Sequence, residues 1–313
     1  MRKIMAHRNF SKAGLRQLPH LLMFSFSHFL IFSFPHFLIL SIFFSFSHSL
    51  HAQPDSLRVV QLLKQGKKEA TAPLHLWYAH QFIGTPYVTQ TLEVNQKEQL
   101  VVNLRQLDCT TFVETALALA LTQEQGSTSY QDYCKNLTRI RYRNGVLDGY
   151  PSRNHYFTQW IESNERQGIV KEVKSQEAPF TATQHISLHY MSRYPHYYPM
   201  LKNDKQAQVV IRRYERECEG HVVHYIPREQ LNQPLSSALG IVHDGDILAI
   251  VTRKDGLDTS HIGFAEWGED KQLHLLNASQ IHKQVVLEPM TLFEYMGKHP
   301  SQLGVRVIRI MRK

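Results

Sequence analysis

In the run Leu107-Asp108-Cys109-Thr110-Thr111-Phe112-Val113-Glu114, a cysteine stands where a helix should begin. Phe112, Val113, Ala116, Leu117, Leu119 and Ala120 recur at helical spacing behind it, and Asp108 offers an oxygen suited to cap the first turn. A helix N-terminus aims positive partial charge at the group it carries, which favours thiolate over thiol, and a thiolate attacks carbonyl carbon. Free cysteines are more often packing than nucleophiles, but Asp108, Thr110 and Thr111 are polar and fit a helix mouth better than a helix interior. Cys109 is therefore the candidate nucleophile.

A cysteine nucleophile needs a base, and the base needs a third polar group to fix its tautomer. His261 is the candidate base. It opens the strand-like segment His261-Ile262-Gly263-Phe264-Ala265 straight after Asp258-Thr259-Ser260, and Gly263 permits close backbone approach. In the following segment, Leu273 to Ala278, Asn277 interrupts an apolar run. On a neighbouring antiparallel strand its amide oxygen would lie beside His261 and accept the ring N–H. His274 would face the other way, and Ser279, on Asn277's face, is the weaker alternative.

These groups need a scaffold. Leu57, Val60, Leu62 and Leu63, then Leu74, Leu76, Trp77 and His80, predict two helices before the cysteine. Gly84-Thr85-Pro86-Tyr87 predicts a turn into extended chain, and Leu100-Val101-Val102-Asn103-Leu104 reads as a strand. From about 139 to 233 the chain is rich in Tyr, Arg and His between turn residues, with one short helix from Phe157 to Glu165. It reads as an insertion that builds a cleft wall; such interleaving suits sugars or carboxylates, and equally a Tyr-rich packed surface. The last third is a run of strands: Asp246 to Thr252, His261 to Ala265, Leu273 to Ala278, Gln284 to Leu287 and Gly304 to Ile310. Helices first and an antiparallel sheet afterwards make the expected class α+β.

Residues 1–52 read as a secretory leader and not as part of the fold: Arg2, Lys3, Arg8, Lys12 and Arg16 precede a long Phe/Leu/Ile/Ser stretch, and no acidic residue occurs before Asp55. The apolar part is duplicated, Phe24 to Ile31 being followed by the near copy Phe32 to Ile39, and translation could start at Met5 or Met23. Cleavage is expected after Ala52, leaving 53–313 as a single domain with no stable membrane association. Without the five basic leader residues the net charge falls from +8 to +3, so charge makes no case for nucleic-acid binding. Three cysteines in an exported chain leave one unpaired; a Cys134–Cys218 disulfide and two buried thiols are both open.

Taken together, Asp108-Cys109 with its hydroxyl neighbours, Gly84-Thr85-Pro86-Tyr87, Gly245-Asp246, His261-Ile-Gly-Phe and the order of Cys, His and polar third residue resemble the NlpC-type papain-like cysteine peptidases and amidases. Thr85-Pro86-Tyr87, Thr91-Leu92-Glu93, Ser152-Arg153-Asn154-His155-Tyr156, Trp160 and Gly256-Leu257-Asp258 look more narrowly like the bacterial N-acetylmuramoyl-L-alanine amidase-like branch, from about Leu76 onward. The resemblance implies a papain-like fold, with the nucleophile helix packed on an antiparallel sheet or small barrel. It also implies cleavage of the amide between N-acetylmuramic acid and L-alanine in muropeptides with an anhydro-sugar end, by a monomer without cofactor or metal. The place would be the periplasm or envelope of a Gram-negative bacterium. It further implies Arg153, His155 and Trp160 in the substrate wall, and an oxyanion met by the Cys109 N–H and the Tyr87 hydroxyl. Where the branch often carries His-Ala-Ser, this chain has Asn277-Ala278-Ser279; asparagine still orients an imidazole, with a different pH dependence.

Three rival readings remain. An endopeptidase cutting the stem peptide would use the same triad. A zinc amidase is the main rival enzyme class, because Cys218-Glu-Gly-His221-Val-Val-His224 offers metal-ligand types, though at no familiar zinc spacing and without a clear catalytic carboxylate. A non-enzymatic cell-wall-binding protein would use the aromatic and basic segment alone.

Overall fold

The computed structural model describes residues 54–69, 73–232 and 240–311; the expected leader lies outside them. Helices α1 (Asp55–Glu69) and α2 (Leu74–His80) form as their apolar spacing predicts, and pack on α3 (Cys109–Glu124) together with α4 (Tyr130–Arg141). Every residue of α3 from Thr111 to Thr122 is buried, so this helix is a core element covered on all sides. Its one buried carboxylate, Glu114, accepts a hydrogen bond from Arg141 Nε at 2.7 Å. Among the described residues no helix is long and apolar enough to cross a membrane.

Helix α5 (Phe157–Arg166) leads into β1 (Val170–Val173) and β2 (Ala182–His185), followed by the short α6 (Tyr190–Arg193), α7 (Lys205–Glu217) and β3 (Val222–Pro227). The remaining elements are β4 (Ile247–Thr252), β5 (Thr259–Trp267), β6 (Leu273–Ser279), β7 (Gln284–Leu287), α8 (Leu292–Gly297) and β8 (Gln302–Ile310). The strands form one antiparallel sheet in the order β2-β3-β8-β4-β5-β6-β7. One edge of β8 faces β4; the other is shared, with Gly304 and Val305 opposite β3 and Val307 to Ile310 opposite β1. Gly304 has no side chain because a Cβ there would lie 2.2 Å from Ile226 O.

Strand β4 is buried along its whole length, with Ile247 and Ala249 in the core under α1 to α5, and Leu248 and Ile250 in a second core closed by Leu292, Tyr295 and Met296 of α8. A third cluster, around Tyr150, Tyr156, Ile186, Leu201 and Ile211, supports α6 and α7. The result is a mixed helical and antiparallel-sheet architecture.

Two sequence expectations change. Leu100 to Leu104 is not a strand: its polar backbone is held by side chains, Arg141 Nη1 donating to Val101 O at 2.7 Å and Leu104 N–H to Asp55 Oδ1 at 3.3 Å. The 139–233 stretch is not all outside the core, because β1 and β3 join the sheet and Trp160 and Ile161 of α5 lie in the main core. The three cysteines are all free, so Cys134 and Cys218 do not pair.

Candidate active site

Asp108 caps α3 as its sequence predicts. Its Oδ1 accepts from the Thr111 N–H and hydroxyl, both at 2.8 Å, and the Thr111 hydroxyl accepts from the Asp108 N–H at 2.9 Å. This reciprocal cap fixes the first turn and leaves the Cys109 N–H at the helix mouth. The stretch Gly84 to Val88 runs between Leu107 and the start of β7: Tyr87 N–H donates to Lys283 O at 2.8 Å and Val88 N–H to Leu107 O at 3.1 Å. Tyr87 is thereby held near the thiol. Burial raises its phenol pKa, and the charges of Cys109 and Asp108 add to the rise.

His261 on β5 and Asn277 on β6 meet as expected. His261 Nε2 lies 2.9 Å from Asn277 Oδ1, and Asn277 Nδ2 donates to Leu275 O at 3.1 Å. Because the amide nitrogen is committed to that carbonyl, its oxygen is the atom offered to the imidazole. The imidazole therefore carries its proton on Nε2, leaving the Nδ1 lone pair free to act as a base. Asn277 is fully buried. Gly263 permits the approach, since a Cβ there would sit 2.9 Å from Asn277 Cβ and 2.7 Å from Leu276 O. Ser279 does not compete: its hydroxyl accepts the His282 N–H at 3.2 Å and fixes the β6–β7 turn. His274 is engaged elsewhere, with Asp270 and Glu288 O.

The thiol and the imidazole line one cavity of about 190 Å³, with Thr110, Asn154 to Phe157, Trp160 and Leu257 to Ile262. Burial pushes the Cys109 thiol up to about 12, and Asp108 adds to the rise; the Ile262 and Thr110 backbones and the Thr110 hydroxyl pull it back down in part. Desolvation and the helix mouth thus act on the thiol in opposite directions. Burial also lowers the His261 pKa, against the Asn277 hydrogen bond that raises it.

Of the expected wall residues, His155 and Trp160 line the cavity and Arg153 does not. Burial, with the charge of Arg153, pushes His155 down to about 3; its Nε2 donates to Tyr150 O at 2.9 Å. Trp160 stacks on Phe157 with ring centroids 4.9 Å apart. Arg153 stands behind the wall, donating to Glu93 at 2.6 Å and through Nε to Glu98 at 3.0 Å, and Tyr142 donates to the same Glu98 at 2.7 Å. Sequence reasoning missed three supports. Asp258, 2% exposed, accepts the Thr158 N–H at 2.6 Å and so fixes the start of α5 against β5. Tyr295 of α8 lies with its ring 6.3 Å from that of His261, and His299 lies 5.0 Å beyond Tyr295. Nothing but the Thr291–Glu294 capping pattern marked α8 in the sequence. His224 lies on β3 opposite Thr183, apart from Cys218 and His221.

A family model described as AmiA-like, N-acetylmuramoyl-L-alanine amidase-like, matches residues 78–305. The chain belongs to this family. It is similar to an N-acetylmuramoyl-L-alanine amidase from Bacteroides uniformis, at 35% identity over 79% of this chain and 99% of that one, with a TM-score of 0.70. A Bacteroides fragilis protein that carries the provisional name xylanase is 40% identical over 75% of this chain and 100% of its own, with a TM-score of 0.69. A Legionella pneumophila protein at 21% identity and a TM-score of 0.61 shares the fold. No curated protein matches the chain. Membership of this amidase-like family makes the protein a hydrolase of the peptidoglycan-directed kind.

Proposed function

We propose that the protein is a cysteine N-acetylmuramoyl-L-alanine amidase with an NlpC-type, papain-like arrangement, acting outside the cytoplasm on muropeptides. The observation that carries this reading is the hydrogen bond between buried Asn277 and His261, an imidazole that lines the same cavity as Cys109. The family and the Bacteroides uniformis relative support the choice of bond.

In this mechanism the Cys109 Sγ bonds to the lactyl carbonyl carbon as its proton passes to His261 Nδ1. The tetrahedral oxyanion is met by the Cys109 N–H, with the Tyr87 hydroxyl as the second donor. Collapse breaks the C–N bond, and His261 returns the proton to the amine of L-alanine. Water then attacks the thioester, with the neutral imidazole as base, and the carboxylate and thiol are released. Asn277 Oδ1 holds the Nε2–H through every step and stabilises the transient imidazolium. A cavity of about 190 Å³ accommodates the scissile linkage and its immediate groups, which favours the end of a small fragment such as an anhydro-muropeptide.

Glycan hydrolysis, the activity named for the Bacteroides fragilis relative, would use two carboxylates flanking the bond. Among the described residues the cavity offers Asp258 alone, and that side chain is already bonded to the backbone of Thr158 and Thr259. The test is incubation of the purified protein and its Cys109→Ala form with defined muropeptides, anhydro and reduced, with products read by mass spectrometry. Free disaccharide plus intact stem peptide from the wild type alone supports the amidase. Split stem peptides would make the protein an endopeptidase, and no Cys109-dependent product would leave a cell-wall-binding protein.

A further inference from the structure

On the far side of α5 from the cavity, three metal-ligand side chains converge from separate elements. Glu162 of α5, Cys218 at the C-cap of α7 and His221 in the turn before β3 offer a carboxylate oxygen, a sulfur and an imidazole nitrogen, all within 4.8 Å of one another. Glu162 Oε1 and His221 Nδ1 are 3.1 Å apart. Donor atoms about 2.0–2.3 Å from a tetrahedral zinc ion stand roughly 3.3–3.7 Å from one another, so shifts of about an ångström complete the set.

The backbone holds two of the ligands in one tight turn. Gly220 takes φ +78°, which reverses the chain after α7, and the His221 N–H donates to Cys218 O at 3.2 Å. Ile186 clamps the turn from outside: its N–H donates to His221 O at 2.8 Å, and its carbonyl accepts the Gly220 N–H at 3.1 Å. Cys218 is 2% exposed while His221 is at the surface, so an ion could enter from solvent and find a desolvated sulfur beneath. Arg143, close enough for its charge to act at Cys218, is itself paired with Glu217.

We propose that Glu162, Cys218 and His221 form a zinc site apart from the catalytic cavity, with water as the fourth ligand. The Cys218 thiol loses its proton to solvent as the sulfur–metal bond forms. A thiolate and an imidazole select zinc over magnesium or calcium. Phe157 and Trp160 face the cavity from α5, and at 3.6 residues per turn Glu162 projects from the opposite side. The ion would pin α5 to α7 and β3 from behind and take no part in the reaction.

The test uses the protein carrying Cys109→Ala, so that the cavity thiol cannot contribute a sulfur-to-cobalt band. Titration with Co²⁺ should give a sulfur-to-cobalt charge-transfer band that saturates at one ion per chain and is displaced by Zn²⁺. Adding Cys218→Ser should abolish the band, and His221→Ala, a surface change that leaves folding intact, should weaken binding at least about tenfold. Cys134→Ala should leave both unchanged. No band at saturating Co²⁺, or a band that survives Cys218→Ser with native circular dichroism, would overturn the site. Neither result bears on the amidase reading, which depends on Cys109.

Discussion

Asn277→Ala removes the acceptor that holds His261 Nε2–H at 2.9 Å, at a position with no access to solvent. In the resting enzyme this leaves a neutral N–H unpaired. During acylation it leaves an imidazolium N–H unpaired, and hydrogen bonds to charged groups are worth about 1.5–3 kcal/mol. At about 1.4 kcal/mol per decade, kcat/KM should fall roughly 10- to 150-fold. Asn277→Asp should instead raise the His261 pKa, moving the acid limb of the pH profile upward, because a carboxylate now faces the ring. The assay is single-turnover release of stem peptide from a defined muropeptide across pH, with urea unfolding to confirm that each variant is folded. If the folded Asn277→Ala protein keeps its rate within about threefold, and Asn277→Asp leaves the acid limb in place, the orienting role is wrong.

Other consequences can be measured separately. Cys109→Ala should lose at least about a thousandfold in turnover while binding muropeptide unchanged, seen by calorimetry. Burial lowers the His261 pKa, so the base stays neutral below the ordinary imidazole value of about 6.5, and the acid limb of kcat/KM should lie under that pH; a limb above neutrality contradicts it. His155, held down to about 3, contributes stability that is complete above its unfolded value near 6.5 and is lost as pH falls toward its folded one. Relative to a His155→Gln protein, the wild type should lose roughly 2–3 kcal/mol between pH 7 and pH 4.5 in urea unfolding, and parallel curves would refute this. Arg153→Met strands the Glu93 and Glu98 carboxylates and should cost about 3–5 kcal/mol of stability. If Arg153 touched substrate instead, KM would rise with stability intact.

The candidate residues were legible because each breaks a local pattern. Cys109 follows a capping aspartate, and Asn277 is a lone amide in an apolar strand, so both declared themselves without the fold. Arg153 misled because a sequence shows that a guanidinium exists and not what already holds it; Glu93 and Glu98 lie in a loop some sixty residues upstream. Leu100 to Leu104 has strand composition, yet its carbonyl and N–H partners are side chains of α4 and α1, which no periodicity records. The helix mouth at Cys109 is a local signal, while the burial that opposes it is a property of the folded chain that no local pattern records. Tyr295 and His299 act only through tertiary contact and left no mark, and the motif that holds Asp258 did not reveal its bond to α5.

The position of β8 bears on when the molecule becomes competent. It is the last of the described strands in order of synthesis, yet β1, β3 and β4 all register against it. A chain that emerges N-terminus first can wind the thiol helix early, and β4 to β7 can pair as a meander. Strand β1 has no partner, and the β2–β3 pair no place in the sheet, until the final ten or so described residues arrive, and such long-range closures come late in folding. The sheet therefore closes only once β8 has been made. A clip within β8 would disarm it from a distance, without touching a residue that meets the substrate.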